Sequence, residues 1–218
     1  MSISHVIYLH GFASSPASSK AQRFASELAP HGIGFSCPDF NQPSFETLTV
    51  TRMLDQTAEA IAAAGEGPIA LIGSSLGGYV AVHSAVRADP ARVTRLVLLA
   101  PGFDFGGNRL RQFGAHGIDE WRRLGSIPFF HYGFGELRQV GFELYEDAAR
   151  YDAFAISPVQ PTLIFQGRRD QSVDPAAVER WASGRPGVDL RLLDDEHQLT
   201  ASMDEIWKQT ERFLLSEK

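Results

Sequence analysis

The chain of 218 residues carries a net charge of −6, with 44% hydrophobic and 21% charged residues, the balance of one soluble α/β domain that can bury a core without staples. Its lone cysteine, Cys37, rules out an internal disulfide, fits a reducing compartment and reads as a small buried hydrophobe. There is no Lys/Arg cluster, no apolar run long enough to span a bilayer and no secretory leader pattern, so the expectations are no nucleic-acid partner, no membrane span and a cytoplasmic location.

The first apolar run, Val6-Ile7-Tyr8-Leu9, predicts a strand that ends in His10-Gly11-Phe12 and a Ser/Ala/Pro loop. A helix is expected over 18–29, then a short strand over 35–37 stopped by Pro38. Residues 45–64 read as a long helix because Leu48, Met53, Leu54, Ala58 and Ile61 recur at helical spacing, and Gly65 and Gly67 end it. The continuous run Ile69-Ala70-Leu71-Ile72 is typical of a strand covered on both faces. It leads directly into Gly73-Ser74-Ser75-Leu76-Gly77-Gly78 and a small-residue helix to about residue 88. Further strands are expected over 95–100, ending at Pro101-Gly102, and over 162–166, ending at Gly167. Asp174-Pro175 opens a helix, with Asp as N-cap and Pro in the first helical position. A last strand over 188–193 and a helix over 199–215 follow. This alternation predicts a mostly parallel sheet of about six strands with helices on both faces.

The stretch from Gly102 to Pro161 breaks the alternation. Positions 103–154 hold twelve of the chain's 23 aromatic residues and eight of its 20 glycines, far more than a plain crossover requires. It reads as an aromatic-rich cap inserted at 103–160 within a single domain spanning 1–218. The cap would contain two short helices, a hairpin near 129–140 and a helix over 142–151. Phe103, Phe105, Trp121, Phe129, Phe130 and Phe134 are candidates to line an apolar substrate pocket. A dimerisation surface is the other use such a cap could have, and the oligomeric state stays open.

Gly73-Ser74-Ser75-Leu76-Gly77 fits G-x-S-x-G between a buried strand and a helix, the context of a nucleophile elbow. Its glycines permit close backbone approach, and the helix aims its N-terminal N–H groups at Ser75 Oγ. Ser74 is off-register for the motif. An attacking serine needs preorganised donors for the oxyanion, and the backbone N–H groups of Leu76 and Phe12 are the candidates. His10 reads as a brace for the loop that carries Phe12.

A serine hydroxyl also needs a base, and the acid and histidine follow such a serine in chain order. Of the seven histidines, at 5, 10, 31, 83, 116, 131 and 197, His197 lies just after the last strand. His83 is expected in the core, and His116 and His131 in packing or surface roles within the cap. Asp170, a few residues beyond a buried strand, is the candidate acid, with Asp174 set aside as a helix cap. Asp194, Asp195 and Glu196 read as a solvated charge run, and Arg168 and Arg169 as exposed residues that could steer an anionic substrate.

With these residues in place, the chain resembles the α/β-hydrolase superfamily over nearly its whole length. More narrowly it resembles the small YqiA-type esterases, through Tyr8-Leu9-His10-Gly11-Phe12, Ser14-Ser15-Pro16, Lys20-Ala21 and Gly73-Ser74-Ser75-Leu76-Gly77-Gly78-Tyr79. Residues 167–173, with Asp170, and the late His197 match the broader superfamily pattern. The resemblance implies a serine hydrolase for small or medium acyl esters, working through Ser75, Asp170 and His197 with no cofactor and no metal. A thioesterase or amidase with the same triad, and a non-catalytic ligand-binding protein of this fold, are the alternatives. The middle segment is longer and more aromatic than in that small family, closer to capped esterases or acyl-protein thioesterase relatives. The superfamily's usual leading antiparallel hairpin is missing, so the sheet is expected to start at Val6.

Overall fold

A computed structural model describes the backbone of residues 2–105 and 114–216, and the side chains of these except 114–116. In chain order the first half holds β1 (His5–Leu9), α1 (Ser19–Leu28), β2 (Gly34–Ser36), α2 (Val50–Ala63), β3 (Ile69–Ser74), α3 (Leu76–Ala85) and β4 (Val93–Leu99). The second half holds α4 (Gly114–Leu124), β5 (Ser126–His131), β6 (Glu136–Gly141), α5 (Glu143–Ala148), β7 (Thr162–Gly167), α6 (Pro175–Ala182), β8 (Val188–Leu193) and α7 (Met203–Leu215). Six strands form one sheet in the order β2-β1-β3-β4-β7-β8, and every neighbouring pair is parallel.

Period-two alternation sorts the sheet's side chains onto two faces. Val6, Tyr8, Ala70, Ile72, Val97, Leu99 and Phe165 pack with Phe24 and Leu28 of α1 and Ile206 and Leu214 of α7. Ile7, Leu9, Leu71, Leu96, Leu98 and Ile164 pack with Met53 of α2, Val80 of α3 and Trp181 of α6. Both faces being covered explains why β3 is buried at all six positions and reads as an unbroken apolar run. Arg95 breaks that rule in the centre of the sheet. Its nearly buried guanidinium donates to Leu214 O at 3.0 Å and Ser216 O at 2.8 Å, tying β4 to the end of α7.

The observed elements depart from expectation at several ends. Helix α2 begins at Val50 rather than 45, because Thr49 takes the N-cap and its hydroxyl accepts the Arg52 N–H at 3.2 Å. Phe45 and Leu48 are buried, but from the loop before the helix. Helix α7 begins at Met203 rather than 199, since Leu199 has a positive φ of 55°. The second strand is shifted by one residue.

Between β4 and β7 the chain makes α4, then an antiparallel hairpin of β5 and β6 that starts three residues earlier than expected, then a short α5. One helix, α4, stands where two were expected; residues 106–113, also part of that expectation, lie outside the described residues. Side chains and single backbone bonds attach this segment. Tyr132 N–H donates to Ala13 O (2.9 Å) and Gly141 N–H to Glu46 O (2.8 Å). The Asp147 carboxylate accepts Thr51 N–H (2.7 Å) and the Thr51 hydroxyl (2.6 Å), placing it at the N-terminus of α2. The Tyr79 hydroxyl reaches Tyr151 O, and the Trp181 indole N–H reaches Ala153 O. Among the described residues, no helix is long and apolar enough to cross a membrane.

Candidate active site

The sheet reverses its winding direction between β1 and β3, and the crevice beyond their carboxyl ends is where open α/β sheets bind ligands. Ser75 lies there, joining β3 to α3 with φ 53° and ψ −115°. A non-glycine residue in that conformation stores on the order of 1–3 kcal/mol, so the surroundings must enforce it. They do so through Ser75 N–H donating to Leu99 O at 2.9 Å and Ser75 O accepting Gly78 and Gly102 N–H at 2.9 and 3.0 Å. The flanking glycines follow from contact. A Cβ on Gly77 would overlap the Leu9 carbonyl, and one on Gly73 the Gly77 backbone.

His197 stands in the loop after β8 and Asp170 in the loop after β7. His197 Nδ1 lies 2.8 Å from Asp170 Oδ2, and Nε2 lies 3.1 Å from Ser75 Oγ. With Asp170 as acceptor, Nδ1 carries the proton and Nε2 is free to accept from the serine. Asp170 Oδ1 accepts Ser172 and Val173 N–H, both at 2.8 Å, and Gln166 Nε2 donates to Oδ2 at 2.9 Å. Burial alone would raise this carboxyl, but the bonds from His197, Val173 N–H and Gln166 outweigh it and hold the group below the usual carboxylate range.

The charge run beside His197 is not uniformly solvated. Asp195 is buried and accepts Glu196 N–H (2.7 Å) and Ser202 N–H (2.9 Å), which shapes the histidine loop. Asp194 stays outside, paired with the exposed Arg169 at 2.8 Å. Asp174 caps α6. Ser74 is the buried last residue of β3, and His197 bonds Ser75 instead.

The loop after β1 runs against the serine, where a Cβ on Gly11 would sit 3.3 Å from Ser75 Cβ. Neither Phe12 N–H nor Leu76 N–H has an acceptor among the described residues, and Leu76 is the first residue of its helix. His10 braces the loop: Phe40 N–H donates to its Nε2 (3.1 Å), so Nδ1–H donates to Gly11 O (2.9 Å). A second brace comes from β5. Fully buried His131 takes Phe134 N–H on Nδ1 and donates from Nε2 to Asn41 Oδ1 (2.9 Å), while Asn41 Nδ2 donates to Ser14 O (2.9 Å). His83 is a core residue, edge-on to Tyr79 and Tyr151. The side chain of His116 lies outside the described residues.

A cavity of about 800 Å³ opens over Ser75 and His197. Phe12, Phe105, Trp121, Phe129, Phe130 and Leu144 line it. Phe103 and Phe134 do not. Phe103 stacks on Trp181 beneath the surface, and Phe134 stacks on His131 and also has the Arg138 guanidinium over its ring. A polar part of the lining was not anticipated: Ser14, Ser15, Ser18, Ser19, Lys20 and Gln198. Gln166 was missed as well, although a polar residue closing an apolar run was the visible signal. Among the described residues no cluster of His, Cys, Asp or Glu could hold a metal.

A parallel sheet wound in this order, with a strained serine turn after its third strand, defines the α/β-hydrolase fold. A crystal structure from Agrobacterium vitis S4 superposes with a TM-score of 0.87 at 22% identity, covering 99% of this chain and 91% of that one. Mouse alpha/beta hydrolase domain-containing protein 10 superposes with a TM-score of 0.81 at 19% identity, covering 96% and 89%. In sequence, Lipase LipV of Mycobacterium tuberculosis is 41% identical over 63 residues, 27% of this chain, and the match spans about a quarter (24%) of the lipase. The chain belongs to the uncharacterised protein family UPF0227, whose model matches residues 5–213.

Proposed function

We propose that the protein is a serine hydrolase, a carboxylesterase that cleaves esters of small or medium acyl chains through an acyl-Ser75 intermediate. The observation that carries this reading is the continuous chain from Ser75 Oγ to His197 at 3.1 Å and from His197 to Asp170 at 2.8 Å. The fold shared with hydrolases and the local likeness to a lipase agree with it. Ser75 Oγ attacks the acyl carbonyl as His197 Nε2 takes its proton, and Asp170 stabilises the resulting imidazolium. Phe12 and Leu76 N–H receive the oxyanion. His197 then protonates the leaving group, and a water activated by His197 releases the acid. No metal or cofactor takes part. The segment 103–160 acts as a cap whose Phe105, Trp121, Phe129 and Phe130 receive the acyl chain, within a single domain and a cytoplasmic enzyme.

The test is a fluorophosphonate probe with peptide mass mapping, run beside p-nitrophenyl esters of graded chain length and matched thioester and anilide substrates. An adduct on Ser75, lost with turnover in Ser75→Ala, is the expected result. Folded protein that takes no adduct and turns over no substrate would falsify the hydrolase reading in favour of ligand binding alone.

A further inference from the structure

The two walls of the cavity differ in chemistry, and the proposed mechanism uses one of them. The aromatic wall suits an acyl chain. The other carries hydroxyls of Ser14, Ser15 and Ser19, which have no hydrogen-bond partner among the described residues, and the ammonium of Lys20. Among the described residues, Lys20 is the only Lys, Arg, Asp or Glu that lines the cavity. Its Nζ donates to Gln198 O at 3.1 Å and to Gln198 Oε1 at 3.3 Å, both neutral acceptors, and it makes no ion pair among the described residues. Burial lowers it to about 8, against the pull of Asp170 and Asp195. Both of those carboxylates are already engaged, Asp170 by His197 and Asp195 by Ser202 N–H. A half-buried cation without an ion-pair partner is costly, and an anionic ligand offsets that cost.

Position assigns the anion to one part of the substrate. Gln198 follows His197 directly and Lys20 bonds its carbonyl, so Lys20 stands beside the histidine that must deliver a proton to the departing group. We propose that the leaving alcohol or thiol of the substrate carries an oxyanion, a carboxylate or a phosphate, which Lys20 and the neighbouring serine hydroxyls bind while the acyl chain lies on the aromatic wall. This rests on the serine-hydrolase reading. The chemistry balances as ordinary hydrolysis: one water is consumed, the acyl–heteroatom bond breaks, and the acid and the still-anionic alcohol or thiol leave.

The experiment uses butyrate esters of 4-nitrophenol that carry at C3 a carboxylate, a phosphonate or a neutral carboxamide. Each kcat/KM is divided by the ester's own alkaline hydrolysis rate. The wild type should favour the better anionic ester over the carboxamide by about tenfold, and the carboxylate-to-phosphonate ranking identifies the oxyanion. Lys20→Gln should bring the ratio to about one, and Lys20→Arg should keep most of it. Should Lys20→Gln not fold, the wild-type ratio still has to narrow when salt is raised to about 0.5 M. A wild-type ratio of one, a ratio unmoved by salt, or a Lys20→Gln protein that loses rate on all three esters with its ratio intact overturns the proposal; the last result makes Lys20 a tether for the His197 loop. Turnover of the carboxamide ester alone decides the hydrolase reading. Its absence from folded wild type sinks that reading and this one together.

Discussion

The strand ends and the β4–β7 segment contribute to the same cavity by different physics. Ser75, Asp170 and His197 sit on loops leaving β3, β7 and β8 of one sheet, in which β3 and β7 are buried at every position and β8 is the edge. The β4–β7 segment has its own two-stranded ladder and joins the rest through side-chain hydrogen bonds, ring contacts and single backbone bonds. The lesson is a division of labour: side chains that must meet within hydrogen-bond distance stand at the ends of sheet strands, whereas the aromatic lining of the cavity hangs on side-chain contacts and single backbone bonds.

The largest expected effect breaks the strand-end half alone. Asp170→Asn should keep the fold and lower kcat by roughly 10³–10⁴-fold, because the amide favours the wrong imidazole tautomer; steady-state kinetics with circular dichroism checks it. The next effect lies where the two regions touch. Burial, with the Arg87 charge second, lowers His83 from 6.5 to about 4. The unfolded chain therefore takes up this proton before the folded protein does. Stability is full above about pH 6.5 and drains as pH falls towards 4, by up to roughly 3 kcal/mol. His83→Phe, which keeps a ring between Tyr79 and Tyr151, should flatten that loss in urea unfolding at about pH 7.5 and 4.5.

Asp147→Ala removes the acceptor at the start of α2 and should cost about 2 kcal/mol in urea unfolding. If the two regions are as separable as their contacts suggest, kcat/KM for esters falls more than the labelling rate with a small fluorophosphonate. Equal losses would mean that the segment also holds the triad in place. The smallest effect sharpens the boundary. Asn41→Ala frees the Ser14 carbonyl and should lower kcat about tenfold with little change in KM if the loop it braces positions an oxyanion donor. A rise in KM alone would move Asn41 to the substrate wall.

The same division governed what could be read from the sequence. Strands β3 and β7 were nearly legible because burial on both faces imposes continuous apolar runs ended by glycine, whereas edge strand β8, legible to the residue, alternates Val188 and Leu190 with exposed Asp189 and Arg191. That Ser75, Asp170 and His197 meet was legible because each follows a strand of the sheet in the expected order. Loop packing misled in two places. Phe45 and Leu48 continue the helical spacing of α2 yet are buried from a loop, so periodicity carried the predicted helix past its Thr49 cap. Asp195 lies between two acidic neighbours, and nothing local reveals that its carboxylate collects N–H groups from Glu196 and Ser202. Among the candidate wall residues, Phe103 and Phe134 were indistinguishable from Phe105 and Phe130 until tertiary structure stacked them on Trp181 and His131.

Arg95 sets a limit on how the protein can be handled. The acceptors for its guanidinium are the backbone oxygens of Leu214 and Ser216, and Phe213 lies over the charge with its ring centroid 5.9 Å away. An affinity tag appended beyond Ser216 leaves those oxygens where they are. Trimming that reaches Leu214 leaves a cation in the middle strands of the sheet with nothing to accept from it, and a loss confined on paper to the last helical turn becomes an unpaired charge in the interior.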